Sequence, residues 1–530
     1  MPPKATPCTT LLPLHFPLIT LHLRPRPLTY LTIAGLLLLL GTCNRPPHPG
    51  EALARTYCTG CHGFPGPDRL SKRVWRTEVL PLMGVFLGVP GGRVVESGSA
   101  NVFPRRPQLT GEEWADIQQW YLREAPDTLA SAAEDREEIA VGLRHFRTRF
   151  PEVGEALPLT TLVRIDTARR RLAVAELGEA ASSLHLYHPA SGETTQVPLD
   201  RPLADLDFVG DDLYLTALGD LIASDRAWGA LEAIRSASVT GGYGRVETLI
   251  PELQRPVQSL RLDVDEDGDQ DWIIAEFGKY SGSLSWWEAV AGGQWQRHEI
   301  LPLPGAVRMA LTDHDGDGRQ DLMVAFGQGD ERISVFLRDG QGGFRERRLL
   351  EFPPTNGTVS FELADFNGDG RQDVLYVNGD NADYDDPGLK PYHGFTIYLR
   401  GRDDTYTEAY RFPTNGAYGA RVADFDLDGD PDIATIAFFP DYSLAPTESF
   451  VYLENVGGVG EQLRFSPSTF REYSAGRYLV MDSGDVDGDG DEDIVLGSYT
   501  DFALDHDVNG LRERWRERGP AVVWLENTVR

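Results

Sequence analysis

Asp263 to Asp271 reads DVDEDGDQD, and the same nine-residue pattern returns as DHDGDGRQD from Asp313, DFNGDGRQD from Asp365, DFDLDGDPD from Asp424 and DVDGDGDED from Asp485. Oxygen-bearing side chains occupy positions 1, 3, 5 and 9 of every loop, and glycine occupies position 6. They are Asp263, Asp265, Asp267 and Asp271; Asp313, Asp315, Asp317 and Asp321; Asp365, Asn367, Asp369 and Asp373; Asp424, Asp426, Asp428 and Asp432; and Asp485, Asp487, Asp489 and Asp493. Alternate oxygens on a tightly curled loop converge on one point, and six to eight oxygens at about 2.3–2.6 Å are what calcium takes. The backbone carbonyl of position 7, at Asp269, Arg319, Arg371, Asp430 and Asp491, would complete each ring. An EF-hand would need glutamate at position 12 and flanking helices. Position 12 holds Ile274, Val324, Tyr376, Thr435 and Leu496 instead. About five calcium ions are therefore expected.

After position 9 each loop runs into an apolar, β-branched stretch such as DWIIAEFG or DLMVAFG, which reads as a buried strand. The pattern resembles the FG-GAP (VCBS-type) calcium-binding repeats of β-propellers, strongly over 260–530 and weakly over 160–260, with Phe277-Gly278 and Phe326-Gly327 keeping the two residues of the name. The resemblance implies a recognition module with protein or carbohydrate partners, although a fold does not by itself give a function.

The loops start 50, 52, 59 and 61 residues apart, which fits one four-stranded blade per repeat. Residues 203–250, which keep Asp205 and Asp207 but lose the glycine and most ligands, and 161–199, with no ligand set, read as two further blades, giving an all-β propeller of seven blades over 158–530. The last blade ends at AVVWLENT without a fourth strand, and a segment within 144–157 is the natural donor, since closing the ring removes exposed edges. Loops between second and third strands lengthen at 377–394, 439–449 and 498–519. They bring Asp380, Asn381, Asp383, Tyr384, His393, Asp441, Tyr442, His506 and Asp507 to one rim, opposite the acidic loops, where binding residues for a carbohydrate or protein ligand tend to sit; solvated polar loops without a ligand are the other reading.

A second chemistry precedes the propeller. Cys58-Thr59-Gly60-Cys61-His62 is the pattern in which two thiols add to haem vinyls and the adjacent imidazole ligates iron. A redox disulfide or half a zinc site are the other readings of such a cysteine pair. Met83, the one methionine between Met1 and Met309, is the candidate sixth ligand, and His48 is the nearest substitute. Thr110 and Glu113 are spaced as a capping box for a helix over 111–124, with Trp114, Ile117 and Tyr121 on one face. The VLPLMG segment and this helix resemble those of class I cytochromes c, so a small all-α haem c domain is expected over 50–126. Met83 follows His62 by only 21 residues, a shorter separation than in larger members of that class. Residues 127–157 form the linker.

Residues 28–42, LTYLTIAGLLLLLGT, are too short an apolar run to span a bilayer comfortably and read as the core of a leader over 1–42. Leu40-Gly41-Thr42-Cys43 resembles a bacterial lipobox, which implies lipid attachment at Cys43 and a periplasmic or cell-surface protein. A cleaved soluble form and an uncleaved anchor are the alternatives. The net charge of −31 arises largely in the five loops, which hold 24 acidic residues against Arg319 and Arg371. What remains disfavours nucleic acid, which rewards clustered Lys and Arg. No Gly-rich flavin or nicotinamide fingerprint and no catalytic triad is present. The sequence thus favours an electron-transfer protein that meets a redox partner protein. A haem-coupled dehydrogenase acting on a small sugar or alcohol at the long-looped rim is the alternative.

Overall fold

Seven antiparallel sheets surround one axis in the computed structural model, which describes residues 48–529 apart from 91–102, 105, 130–136, 156, 179–180, 237–242, 385–387, 458–461 and 502–507. The leader, Cys43, His506 and Asp507 lie outside the described residues. Five blades follow one rule, four consecutive strands paired in order: 160–199, 203–253, 256–301, 306–351 and 358–413. The sixth, over 417–469, gains Ala140–Val141 as a parallel fifth strand against Phe465–Thr469. In the seventh, Phe146–Arg149 pairs antiparallel with Val522–Asn527 as the outermost strand, so a segment ahead of the first blade completes the last.

The strand chemistry explains the layering. In the third to seventh blades the second strands, such as Asp271–Glu276, Asp321–Phe326 and Asp432–Ala437, are buried at every position because neighbouring blades pack on both of their faces. Outermost strands, such as Phe344–Glu351, are half-exposed and carry the charge. Interblade cores are apolar; Phe366, Leu375, Phe395, Ile397, Ile433, Val451 and Leu453 fill the space between the fifth and sixth blades.

The innermost strands carry a ring of alternating charge across the axis. Arg164 reaches Asp205 at 2.5 Å and Asp482 at 3.5 Å, Arg421 reaches Asp482 at 3.2 Å and Glu362 at 3.0 Å, and Arg308 reaches Glu362 at 3.1 Å. The third blade contributes neutral Gln258, whose amide exchanges hydrogen bonds with the Met309 backbone. On the long-loop side, Leu159, Leu221, Tyr418, Phe438, Phe439, Leu479 and Tyr499, drawn from four blades, pack together.

Between Pro49 and Glu124 every element among the described residues is a helix. Pro49–Tyr57 crosses Gly111–Glu124, and a Cβ on Gly50 would sit 2.0 Å from the Asp116 carbonyl oxygen, so only glycine permits the approach. The capping box forms, with Glu113 N–H donating to Thr110 Oγ1 at 3.2 Å and Thr110 N–H to Glu113 Oε2 at 2.7 Å. Trp75, Leu80, Ile117, Trp120 and Tyr121 form the core of this segment. Among the described residues no helix is long and apolar enough to cross a membrane.

The helical segment and the propeller belong to one compact unit, Pro49–Arg530. The Arg69 guanidinium stacks on the Tyr392 ring at 3.4 Å, the Tyr392 hydroxyl donates to the Arg69 carbonyl at 2.9 Å, and Arg69 also bonds Asn356. Phe86 and Phe103 pack on Tyr280 of the third blade at 5.8 and 5.5 Å between ring centres.

Candidate functional site

Each acidic loop joins the first and second strands of its blade, and its shape follows from aspartate chemistry. The position 1 carboxylate accepts from the position 6 glycine N–H, as Asp263 does from Gly268 at 3.1 Å, Asp313 from Gly318 at 3.0 Å, Asp365 from Gly370 at 2.7 Å and Asp424 from Gly429 at 3.0 Å. Positive φ at those glycines, from +82° to +101°, closes the turn at low cost. In the fifth loop Asp485 accepts from Gly488 instead, at 2.5 Å.

Four loops gather three carboxylates whose oxygens lie within 4.8 Å of one another: Asp263, Asp265 and Asp271; Asp313, Asp315 and Asp321; Asp424, Asp426 and Asp428; Asp485, Asp487 and Asp493. In the loop from Asp365, Asn367 at position 3 supplies an amide oxygen where the others have a carboxylate. Side chains at position 7 diverge in role. Arg319 and Arg371 turn back onto Asp317 and Asp369, so only their carbonyls are left to offer.

Asp491 behaves differently: it is 3 % exposed, and neither carboxylate oxygen has a hydrogen-bond partner. Asp263 and Asp430 each bury one such oxygen. Burial, with the close approach of neighbouring aspartates, pushes Asp430 up to about 6 and Asp491 up to about 7. Buried carboxylate oxygens without donors, set among like charges, are satisfied by a hard cation. The residues present fit calcium.

The position 9 aspartates are ligands by their spacing, and the structure gives them a second role. Asp271, Asp321, Asp373 and Asp493 are buried, and each takes the position 2 N–H of its own loop on one oxygen at 2.9–3.1 Å. Their other oxygen takes a backbone N–H at the end of the third strand, from Ala289, Arg338, Arg400 and Asn527 at 2.8–2.9 Å. Asp432 keeps the strand bond, to Asn455 at 2.7 Å, but turns its second oxygen to the Tyr452 hydroxyl at 2.7 Å, and it stays outside the cluster of its loop. Sequence spacing could not separate clamp from ligand, because both need an oxygen.

The rim opposite these loops is not one open surface. Tyr384 packs against the helical core, His393 is buried with Nε2 unpartnered, and Tyr442 lies beneath Leu511 and Trp515 of the helix Leu511–Arg518. Asp441 accepts from Ser443 and Leu444 and shapes its own loop. Between the helical segment and the fifth blade lies a cavity of about 370 Å³ lined by residues including Arg69, Asn356, Tyr376, Tyr392 and Arg411.

In the helical segment, Pro49–Tyr57 passes into a 3-10 turn over Cys58–Gly60. Cys58 and Cys61 are free thiols, the first half-buried and the second exposed. Burial, with a further contribution from Cys61, pushes the Cys58 thiol up to about 11. A redox cysteine needs a depressed value and commonly sits at a helix N-terminus, whereas Cys58 follows the end of its helix. His62 Nδ1 lies 2.8 Å from the Gly63 carbonyl oxygen. A carbonyl can only accept, so Nδ1 carries the proton, which in the neutral ring leaves the lone pair on Nε2. Met83, on the helix Leu80–Phe86, packs on the same core as Cys58.

The FG-GAP-like repeat model matches residues 263–324 and 313–376. The chain therefore carries FG-GAP-like repeats within a seven-bladed propeller. No curated protein matches the sequence. Among solved structures, the N-terminal domain of Nup159 is similar at 11 % identity and a TM-score of 0.40, covering 75 % of this chain and 99 % of that one. The calcium-binding protein regucalcin from Agrobacterium tumefaciens is similar at 11 % identity and a TM-score of 0.37, covering 60 % and 95 %.

Proposed function

We propose that this protein is an exported c-type cytochrome whose single haem domain is mounted on a calcium-stabilised propeller that serves for recognition and docking. Cys58 and Cys61 would hold the haem by thioethers, His62 would ligate its iron through Nε2, and Met83 would be the opposite ligand. Haem supplies one-electron redox chemistry, and a thioether ligand raises its potential relative to two imidazoles. The five acidic loops would hold calcium, and Cys43 would tether the chain to the bacterial envelope.

The observation that carries the haem reading is the His62 Nδ1 bond to its neighbouring carbonyl, the hydrogen bond that metal-ligating histidines use to fix tautomer and ring direction. The raised Cys58 value supports it against a redox disulfide. The dehydrogenase alternative has weaker support, since Tyr384 and Tyr392 of the long 379–393 loop already contact the helical segment. A visible spectrum and redox titration of the full chain, expressed with c-type haem maturation, test the proposal. A low-spin spectrum that sugars and alcohols leave oxidised is expected, and rapid reduction by one of those substrates would establish the dehydrogenase instead.

A further inference from the structure

In two acidic loops the position 2 residue is gripped from both sides, by its own blade and by the next, and in a third loop the next blade alone grips it. Val264 donates its N–H to Asp271 of its own blade, while its carbonyl accepts from Arg338 Nη1 of the fourth blade at 2.9 Å; the adjacent Asp263 carbonyl takes the same nitrogen at 2.6 Å. His314 donates to Asp321, while its carbonyl accepts from Arg400 Nη2 of the fifth blade at 2.8 Å. The Phe425 carbonyl accepts from Asn527 Nδ2 of the seventh blade at 2.7 Å.

Arg338, Arg400 and Asn527 occupy equivalent positions. Each ends a third strand, and each gives its own backbone N–H to the position 9 aspartate of its own loop, at 2.9, 2.8 and 2.8 Å. A shift of that aspartate therefore moves the residue that grips the loop before it. Asn455 stands at the same place in the sixth blade, but its side chain bonds Pro431 of its own loop and does not reach the fifth blade.

We propose that the loops load as two coupled groups, with those from Asp263, Asp313 and Asp365 in one and those from Asp424 and Asp485 in the other. The connectors are Arg338, Arg400 and Asn527, and the seam between the fifth and sixth blades is the break. The inference rests on the calcium reading of the loops. That reading has support independent of the connectors in the buried, donorless carboxylate of Asp491.

Hydrogen exchange of the full chain, followed by mass spectrometry across a calcium chloride titration, tests the grouping loop by loop. In Asp313→Asn, the calcium midpoints for protection of 263–271 and 365–373 should rise about fivefold or more, the lower end of ordinary coupling between sites. Those for 424–432 and 485–493 should stay unchanged. Adding Arg338→Met should abolish the effect on 263–271 while leaving that on 365–373, and Arg400→Met should do the reverse. A shift confined to 313–321, or one spread equally over all five loops, would overturn the grouping while leaving calcium binding intact. No calcium-dependent protection in any loop would overturn the calcium reading and the grouping together.

Discussion

Arg421 Nη1 stands 3.0 Å from Glu362 Oε1, and the same oxygen takes Arg308 Nη2 at 3.1 Å, so one carboxylate joins the fourth, fifth and sixth blades at the axis. Both arginines are largely buried, and removing their shared partner leaves two cations facing each other. Breaking a buried pair from one side typically costs 3–5 kcal/mol. Glu362→Ala should accordingly lower stability by about 3 kcal/mol in urea unfolding of the full chain. The double variant that also removes Arg421 should recover part of that loss, and equal losses in single and double variants would show that the ring does not couple the blades.

The two roles assigned to loop aspartates separate in chelator. Asp315 sits in the acidic cluster and accepts one exposed backbone N–H, from Asp317 at 3.2 Å, whereas Asp321 is buried and holds two backbone N–H groups. With EDTA present, Asp315→Ala should leave the melting temperature unchanged or slightly raised, because it relieves repulsion. Asp321→Ala should lower stability by about 1–3 kcal/mol through its orphaned donors. With calcium added, both should melt below the unaltered protein, and identical behaviour of the two in EDTA would contradict the clamp.

Arg69 pins the helical segment to the fifth blade through Tyr392, Asn356 and Thr355. Arg69→Met should leave the propeller's melting transition in place while speeding proteolytic release of the helical segment, measured by limited trypsin digestion. Unchanged cleavage would mean that the Phe86, Phe103 and Tyr280 contacts hold the segment unaided.

Burial in the first blade raises the Glu176 carboxyl to about 7, although it accepts from Glu155 N–H at 2.5 Å and Thr160 Oγ1 at 3.2 Å. The folded state thus binds its proton more tightly than the unfolded chain does. Its contribution to stability is full below the ordinary carboxylate range, near 4.5, and is lost as pH rises through about 7. Glu176→Gln mimics the protonated form and should flatten the fall in melting temperature between pH 5 and about 7.5, measured in excess calcium. A profile parallel to that of the unaltered protein would place the titration elsewhere.

Five blades were legible because each carries an oxygen pattern in fixed register with a buried strand; Asp263 and Asp313 announce a repeat by themselves. The first two blades show mainly apolar alternation in sequence, since their loops lack the glycine and most or all of the ligands. The axial ring was hidden for a physical reason. Arg164 and Asp482 are more than 300 residues apart and become neighbours only when the ring closes, and neither differs in sequence from an ordinary surface charge. The connector role of Asn527 was hidden in the same way, because its partner Phe425 is a backbone carbonyl that any residue could offer. The rim read as open because sequence gives loop length but not what packs on a loop, and Tyr384 and Tyr392 carry no mark of a contact with the helical segment.

Covalent haem at Cys58 and Cys61 is the proposal on which the electron-transfer reading rests. Intact-mass measurement and a pyridine haemochrome spectrum of the chain produced with c-type haem maturation, beside the Cys58→Ser/Cys61→Ser variant, test it most directly. The account predicts one covalently attached haem per chain in the unaltered protein and none in the double variant. An unaltered protein that folds, binds calcium and emerges from the same maturation without haem would contradict it.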